Sequence, residues 1–269
     1  MVLSVTPPHF PLVVEERWKR FDRKKLEVRR NFNDSDPRFR ECLANYYAMI
    51  ENLDWNIGRL LDEIESAQGF RGNTLVVYFS DHGDFMGSHD RESRKEHPFE
   101  ESIRIPSIFY WPGEIRPLAG VEDLFSLVDL LPTTLGLIGV EVPPHVQGTD
   151  FSPRLRGQEF RARESVLTEM VNNPRWNLDF LDWRAIVTEE WKYAHYETGE
   201  ELLFNLLEDP YELTNLVGVR SEKRDEMRGR LLALLRETRE PYYDVLMEYG
   251  VRQKTPDRDV SVDRRWNGI

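Results

Sequence analysis

Apolar positions early in the chain fall into one long helical stripe. Leu43, Tyr46, Tyr47, Ile50, Leu53, Ile57, Leu60, Leu61 and Ile64 recur three and four residues apart, which predicts an amphipathic helix over about 37–67. Asp36 is placed to cap it, Pro37 suits its first position and Gly69 marks its end. Ahead of the helix, Leu3 to Pro11 reads as a short apolar strand running into Pro7-Pro8-His9-Phe10-Pro11. Residues 12–36 are polar with no sustained period, a long surface connection.

Beyond the helix the period changes. The β-branched run Thr74–Phe79 predicts a buried strand ending abruptly in Ser80-Asp81-His82-Gly83-Asp84, and Ile105–Tyr110 predicts a second strand. Residues 123–139 read as a turn or short strand and a buried helix, with Pro132 in its first turn because an interior proline costs about 3 kcal/mol. A Pro- and Gly-rich loop follows. Short strands at about 165–171, 184–188, 191–196 and 201–205 predict a small antiparallel sheet, and helices are expected at about 222–237 and 242–249. The tail from Arg252 is polar and expected to be loosely held.

The expected class is α/β, in two parts. Over 1–160, Leu3–Val5, Thr74–Phe79 and Ile105–Tyr110 would share one predominantly parallel sheet with the long helix on its face. Over 161–269, a small antiparallel sheet would carry a packing helix.

Composition narrows the function more than the fold. The 269 residues are 40% hydrophobic and 31% charged, with a formal charge of −12, which argues against binding to nucleic acid or an anionic membrane. No apolar run approaches a membrane span. The N-terminus lacks a basic region and is broken by prolines, so it does not read as a secretory signal, and the expected location is cytoplasmic if Met1 is the true start. The single cysteine, Cys42, excludes an internal disulfide and a cysteine-based zinc cluster, and reads as a buried structural thiol.

Candidate chemistry gathers after the Thr74–Phe79 strand. Asp81 and His82 sit just past its carboxyl end, where open α/β sheets place ligands. Such a pair can bind a hard divalent cation, though two ligands fall well short of the six to eight oxygens that Ca²⁺ takes. The alternative is an Asp capping the turn with the imidazole hydrogen-bonded nearby. Lys95, taken alone, is a solvated surface charge, and His9, taken alone, is a structural histidine.

The whole stretch, however, resembles the sulfatase family of the alkaline-phosphatase-like superfamily. The resemblance is carried by S-D-H-G-D, by K-x4-E-E-S-I-R-I-P from Lys95 and by the closing W-P-G. P-P-H-F-P near the start, and W-K-Y-A-H-Y and E-L-L-F-N-L-L-E-D-P-Y-E-L-T-N-L near the end, extend it. It implies a partial alkaline-phosphatase-like sandwich, a mixed and mainly parallel sheet flanked by helices. Asp81 and His82 would then hold part of a Ca²⁺ or Mg²⁺ site, with Mn²⁺ open because one ligand is nitrogen. Lys95 would contact the sulfate ester, and His9 would face the ester oxygen and give a proton to the departing alcohol. His97 either joins that pocket or satisfies a backbone carbonyl. Glu100, Arg104 and Asp129 would brace the fold, while His89, His145 and His195 look incidental. The aromatics around Arg175 read as a packed loop or a pocket mouth.

The resemblance also implies a formylglycine nucleophile made from a C/S-x-P-x-R signature, and paired aspartates completing the metal site. Neither occurs in this sequence. The expected function is therefore hydrolysis of a small-molecule or saccharide sulfate ester, by a chain matching only about the C-terminal half of the family and inactive alone. A phosphonate or phosphate ester hydrolase of the same superfamily is the near alternative, and a non-catalytic binding module the distant one. An incomplete sheet would leave strand edges open to self-association.

Overall fold

The computed structural model describes residues 1–91, 95–118, 120–171 and 181–252. Arg175 and most of the aromatic run around it, like the polar tail from 253, lie outside the described residues. Helix α1 (Pro37–Ser66) starts where its sequence dictates, with the Asp36 carboxylate accepting from the Arg38 backbone N–H at 2.9 Å and Pro37 in the first turn. Its buried residues, Phe39, Leu43, Ala48 and Met49, all lie in its first half. Cys42 is half-buried on this helix rather than fully enclosed.

Strands β1 (Val76–Phe79) and β2 (Ser107–Tyr110) pair with each other antiparallel, Val76 opposite Tyr110 and Phe79 opposite Ser107. This corrects the expectation of a predominantly parallel sheet. A parallel return needs a crossover long enough to carry the chain back along the sheet, usually a helix on its face. Here, among the described residues, the connection carries only the single-turn helix α2 (Glu100–Ile103), lying at the end of β1 where Gly83 N–H donates to Ser102. Leu3–Val5, the third expected strand, has no regular structure, and Leu3 and Val5 are exposed. Helices α3 (Leu130–Leu137) and α4 (Ser152–Leu155) follow β2. Asp129, fully buried, ties them together by accepting from the Ser126 and Thr149 N–H groups and pairing with Arg163.

The C-terminal part is the best-covered region. Strands β3 (Val166–Met170), β4 (Trp183–Val187), β5 (Trp191–Tyr196) and β6 (Glu201–Asn205) form an antiparallel four-stranded sheet in chain order. Alternation sends Ile186, Tyr193 and Leu203 to one face, where Met227, Leu231 and Leu235 of helix α5 (Ser221–Thr238) cover them with Tyr242 and Leu246 of α6 (Tyr242–Arg252). Trp183, Ala185, Ala194, Tyr196, Leu202 and Phe204 fill the other face against Phe99 and Ile103. The second face thus packs directly on α2 and its N-cap, which joins this sheet to the loop that follows β1.

Candidate active site

The turn after β1 is built by local hydrogen bonds. Asp81 Oδ1 accepts from the His82 N–H at 3.0 Å, and Ser80 Oγ donates to the His82 carbonyl at 2.7 Å. His82 Nδ1 lies 2.7 Å from the Gly83 carbonyl, to which it donates, so Nε2 is the ring nitrogen left for a cation. That nitrogen sits 3.8 Å from Asp81 Oδ2, on a carboxylate that is 83% exposed. One cation can touch both atoms at that separation, and an imidazole braced through its other nitrogen is the usual form of a histidine ligand. The pair therefore fits part of a divalent-cation shell. Among the described residues no third carboxylate, imidazole or thiolate completes a group with them.

Gly83 fixes how this turn meets the rest of the molecule. Its N–H donates to the Ser102 carbonyl at 2.7 Å, and a Cβ there would collide with the Glu101 carbonyl. Ser102, almost fully buried, also donates its hydroxyl to the Lys95 carbonyl. A single residue of α2 thus connects the Asp81–His82 turn to the segment bearing Lys95. The C-terminal sheet holds that segment from the other side. Trp183 Nε1 donates to the Glu96 carbonyl at 2.8 Å, and His97 Nδ1 lies 3.0 Å from the Tyr196 hydroxyl. His97 thus has a tyrosine hydroxyl of the C-terminal sheet as a partner.

His9 is exposed in the proline-rich turn, its Nδ1 2.7 Å from the Phe10 carbonyl. Its neighbour Pro8 lines a cleft of about 510 Å³ together with Ser80, His82, Gly83 and Asp84. The cleft runs on between α1 and the β1–β2 pair, and Arg29, Asp54, Glu101 and Arg104 are among its polar lining. Tyr46, also in the wall, has its hydroxyl pushed up to about 12 by burial and by the nearby Asp84 carboxylate.

A second polar cluster lies behind the turn, and sequence reasoning passed over it. His89, Glu101 and Glu212 bring ligand-type atoms within 4.8 Å of one another. Asn31 Nδ2 lies 2.8 Å from Glu101 Oε1, 2.9 Å from His89 Nε2 and 3.1 Å from the Tyr211 carbonyl. Burial alone would raise the Glu101 carboxyl, but hydrogen bonds from His89 and Asn31 outweigh it and hold it down at about 2. Glu212 is paired at 2.6 Å with Lys192, which also reaches Glu100 at 2.7 Å, and Glu212 accepts from the Glu100 N–H. Lys192 and Arg29, 3.4 Å from Glu101, already supply positive charge here. The cluster reads as an ion network rather than a cation shell. His89 and Glu212 both have left-handed φ of 54°, conformations that persist when such a network over-determines them. Glu101 stands in the E-E-S-I-R-I-P run, Lys192 in W-K-Y-A-H-Y and Glu212 in E-D-P-Y-E, but those signals gave none of the three a role.

Comparison with known proteins agrees with this architecture. The sequence profile of the Sulfatase family matches residues 1–140, and that described as N-sulphoglucosamine sulphohydrolase, C-terminal, matches residues 89–240. The Ulvan-active sulfatase of Formosa agariphila is 32% identical over 222 residues, covering 81% of this chain and 43% of that protein. A structure designated 4S-sulf, from work on the metabolism of multiple glycosaminoglycans by Bacteroides thetaiotaomicron, superposes with a TM-score of 0.78 at 27% identity, over 93% of this chain and 56% of that one. The phosphonate monoester hydrolase of Agrobacterium radiobacter superposes with a TM-score of 0.65 at 26% identity, over 75% of this chain and 42% of that one. The chain spans about half the length of the curated relatives it matches, 43%, 52% and 38% in three of them. With a family profile covering more than half of its residues, an α/β fold shared with solved sulfatases and the S-D-H-G-D turn seated on α2, this chain belongs to the sulfatase family.

Proposed function

We propose that this chain supplies one wall of an active site that hydrolyses sulfuric esters of a saccharide or small alcohol, and that it does not turn over by itself. The observation that carries this reading is Ser102, which ties the Asp81–His82 turn to the Lys95 segment through two hydrogen bonds. Hydrolysis breaks the bond between sulfur and the alcohol oxygen. The Lys95 ammonium would offset charge building on the sulfate oxygens and the leaving oxygen, and His9, as imidazolium, would give the departing alcohol its proton. His97 would orient the same segment from its hold on Tyr196. Asp81 and His82 would contribute two ligands to a divalent cation, Ca²⁺ first and Mg²⁺ or Mn²⁺ otherwise, which supplies Lewis acidity when bound. The formylglycine nucleophile and the further carboxylates would have to come from outside these residues. A saccharide sulfate suits the glycosaminoglycan setting of the Bacteroides structure. The Agrobacterium neighbour favours a second reading, a phosphonate or phosphate ester, because the same cation, lysine and histidine serve any tetrahedral anion.

The test is turnover of a chromogenic aryl sulfate and of the matching phosphonate ester, with and without Ca²⁺. It compares the 269-residue chain with the same chain extended at its N-terminus. The short chain should be inactive. In the extended chain, Lys95→Ala should cost about 100-fold or more in kcat, the range for losing one charge-stabilising donor. Robust turnover by the short chain would overturn the outside nucleophile, and an extended chain indifferent to Lys95→Ala would remove the lysine from the site.

A further inference from the structure

Charge is spread unevenly over the molecule. The chain carries a formal −12, yet residues 17–30 hold eight arginines and lysines against two carboxylates, and all eight are exposed. Charges more than about 8 Å apart are largely screened at physiological ionic strength, so a ligand at this segment meets the local field rather than the net charge. The segment reaches the cleft on both sides, where Pro8 ahead of it and Val28 and Arg29 near its end line the wall. Its start packs on α1 outside the cleft. There Trp18, buried, meets Trp55 of α1 with ring centroids 6.0 Å apart. Three guanidiniums stand over these two rings. Arg17 lies 5.3 Å from the Trp18 centroid and 5.4 Å from that of Trp55, Arg20 lies 5.7 Å from Trp18, and Arg59 lies 4.8 Å from Trp55. Trp55 is 44% exposed, and Arg59 pairs with no carboxylate among the described residues, donating instead to the Asn56 side-chain carbonyl at 3.3 Å. Arg17 and Arg20 pair with Glu15 and Glu51, but their side chains stay 57% and 60% exposed, and pairs so open to water contribute little. An arginine held against an aromatic ring is fixed through its face, while the N–H groups in its plane can still take an anion in pairs.

We propose that Arg17, Arg20, Trp55 and Arg59 form a binding site, separate from the cleft, for the sulfate groups of a sulfated polysaccharide. The choice of sulfate over other anions rests on the proposed hydrolysis of sulfuric esters, whereas the anion site itself does not. A polymer fits better than a single ester because the basic segment leaves the cleft and returns to it. A polysaccharide with one sulfate in the cleft would lay its further sugars over this surface, and two contacts on one chain raise the effective concentration of each. In the site the guanidiniums would take sulfate oxygens in pairs, and the exposed part of Trp55 would meet the apolar face of a sugar ring. Duplex nucleic acid fits worse. Glu15, Glu16, Asp22 and Glu51 lie among the arginines, and a duplex with one charge per about 1.7 Å would set phosphates against them. A polysaccharide spaces its charges by whole sugar rings and can step past those carboxylates.

The test is isothermal titration calorimetry with a short dextran sulfate as probe and unsulfated dextran of the same length as control. It uses the 269-residue chain and the chain extended at its N-terminus. Dextran sulfate should bind to both chains and dextran to neither. Arg17→Gln combined with Arg59→Gln should weaken binding about tenfold or more. Trp55→Leu, which keeps apolar bulk without the ring, should do so by a similar factor, with circular dichroism checking the fold of each variant. Arg71→Gln combined with Arg220→Gln removes the same charge from exposed positions elsewhere, and should leave affinity within about twofold. In the extended chain none of these variants should change kcat on a small aryl sulfate. The site would be overturned by no binding, by equal binding of unsulfated dextran, or by equal weakening in the two double variants. Tighter binding of duplex DNA or of phosphatidylserine vesicles would overturn it too, as would a loss of kcat in the Arg17–Arg59 variant. Binding retained by an extended chain that hydrolyses no ester would leave the site standing and overturn the proposed chemistry instead.

Discussion

Gly83 shows how much one missing side chain decides. Its N–H must reach Ser102 while its α-carbon lies against the Glu101 carbonyl, so no Cβ fits. Gly83→Ala should destabilise by about 1–3 kcal/mol, the range for overpacking, and thermal unfolding would register it. Glu101 makes a pH prediction. Its carboxyl sits at about 2 in the folded protein against 4.5 for an unperturbed glutamate. A depressed carboxyl contributes stability that is complete above the unfolded value and is lost as pH falls toward the folded one. Stability should therefore drop by about 2–3 kcal/mol between pH 4.5 and 2, and Glu101→Gln should flatten that limb in urea titrations. At this scale the sequence was only partly informative. Glu100 and Asp129 do brace the fold as their segments suggested. His89, read as incidental, sits in the ion network, and Asn31 carried no signal at all, because its partners lie 58, 70 and 180 residues away.

Elements were more legible than residues. Helix α1 and strands β5 and β6 fall where periodicity and turn residues put them, since each is specified by neighbours in sequence. Pairing was less so. The antiparallel sense of β1 and β2, and the absence of a strand at 3–5, depend on where the connections run and on what lies alongside. The link between α2 and the C-terminal sheet is long-range in the same way, and it predicts a double-mutant result. Lys192 and Glu212 form a fully buried pair, and burial already pushes the Glu212 carboxyl up against the pull of Lys192. Lys192→Met, which strands Glu212, should cost about 3–5 kcal/mol, whereas adding Glu212→Leu should restore much of it. Equilibrium denaturation of the single and double variants would measure both.

For the whole molecule, the contrast in coverage should appear as a gradient of opening free energies. Amides of β4, β5 and β6 should exchange slowest, through global unfolding, and those of β1 and β2 orders of magnitude faster by local opening, in native-state hydrogen exchange. That gradient could not be read from sequence, where Thr74–Phe79 looks as buried as any C-terminal strand. The anchoring of the Lys95 segment has a consequence in time. His97 and its partner Tyr196 are 99 residues apart, and Glu96 and Trp183 are 87 apart. At about 5–20 residues per second, a ribosome completes Tyr196 roughly 5–20 seconds after His97. Throughout that interval the segment bearing Lys95 lacks the strands that clamp it, so its position is set only once they have been synthesised.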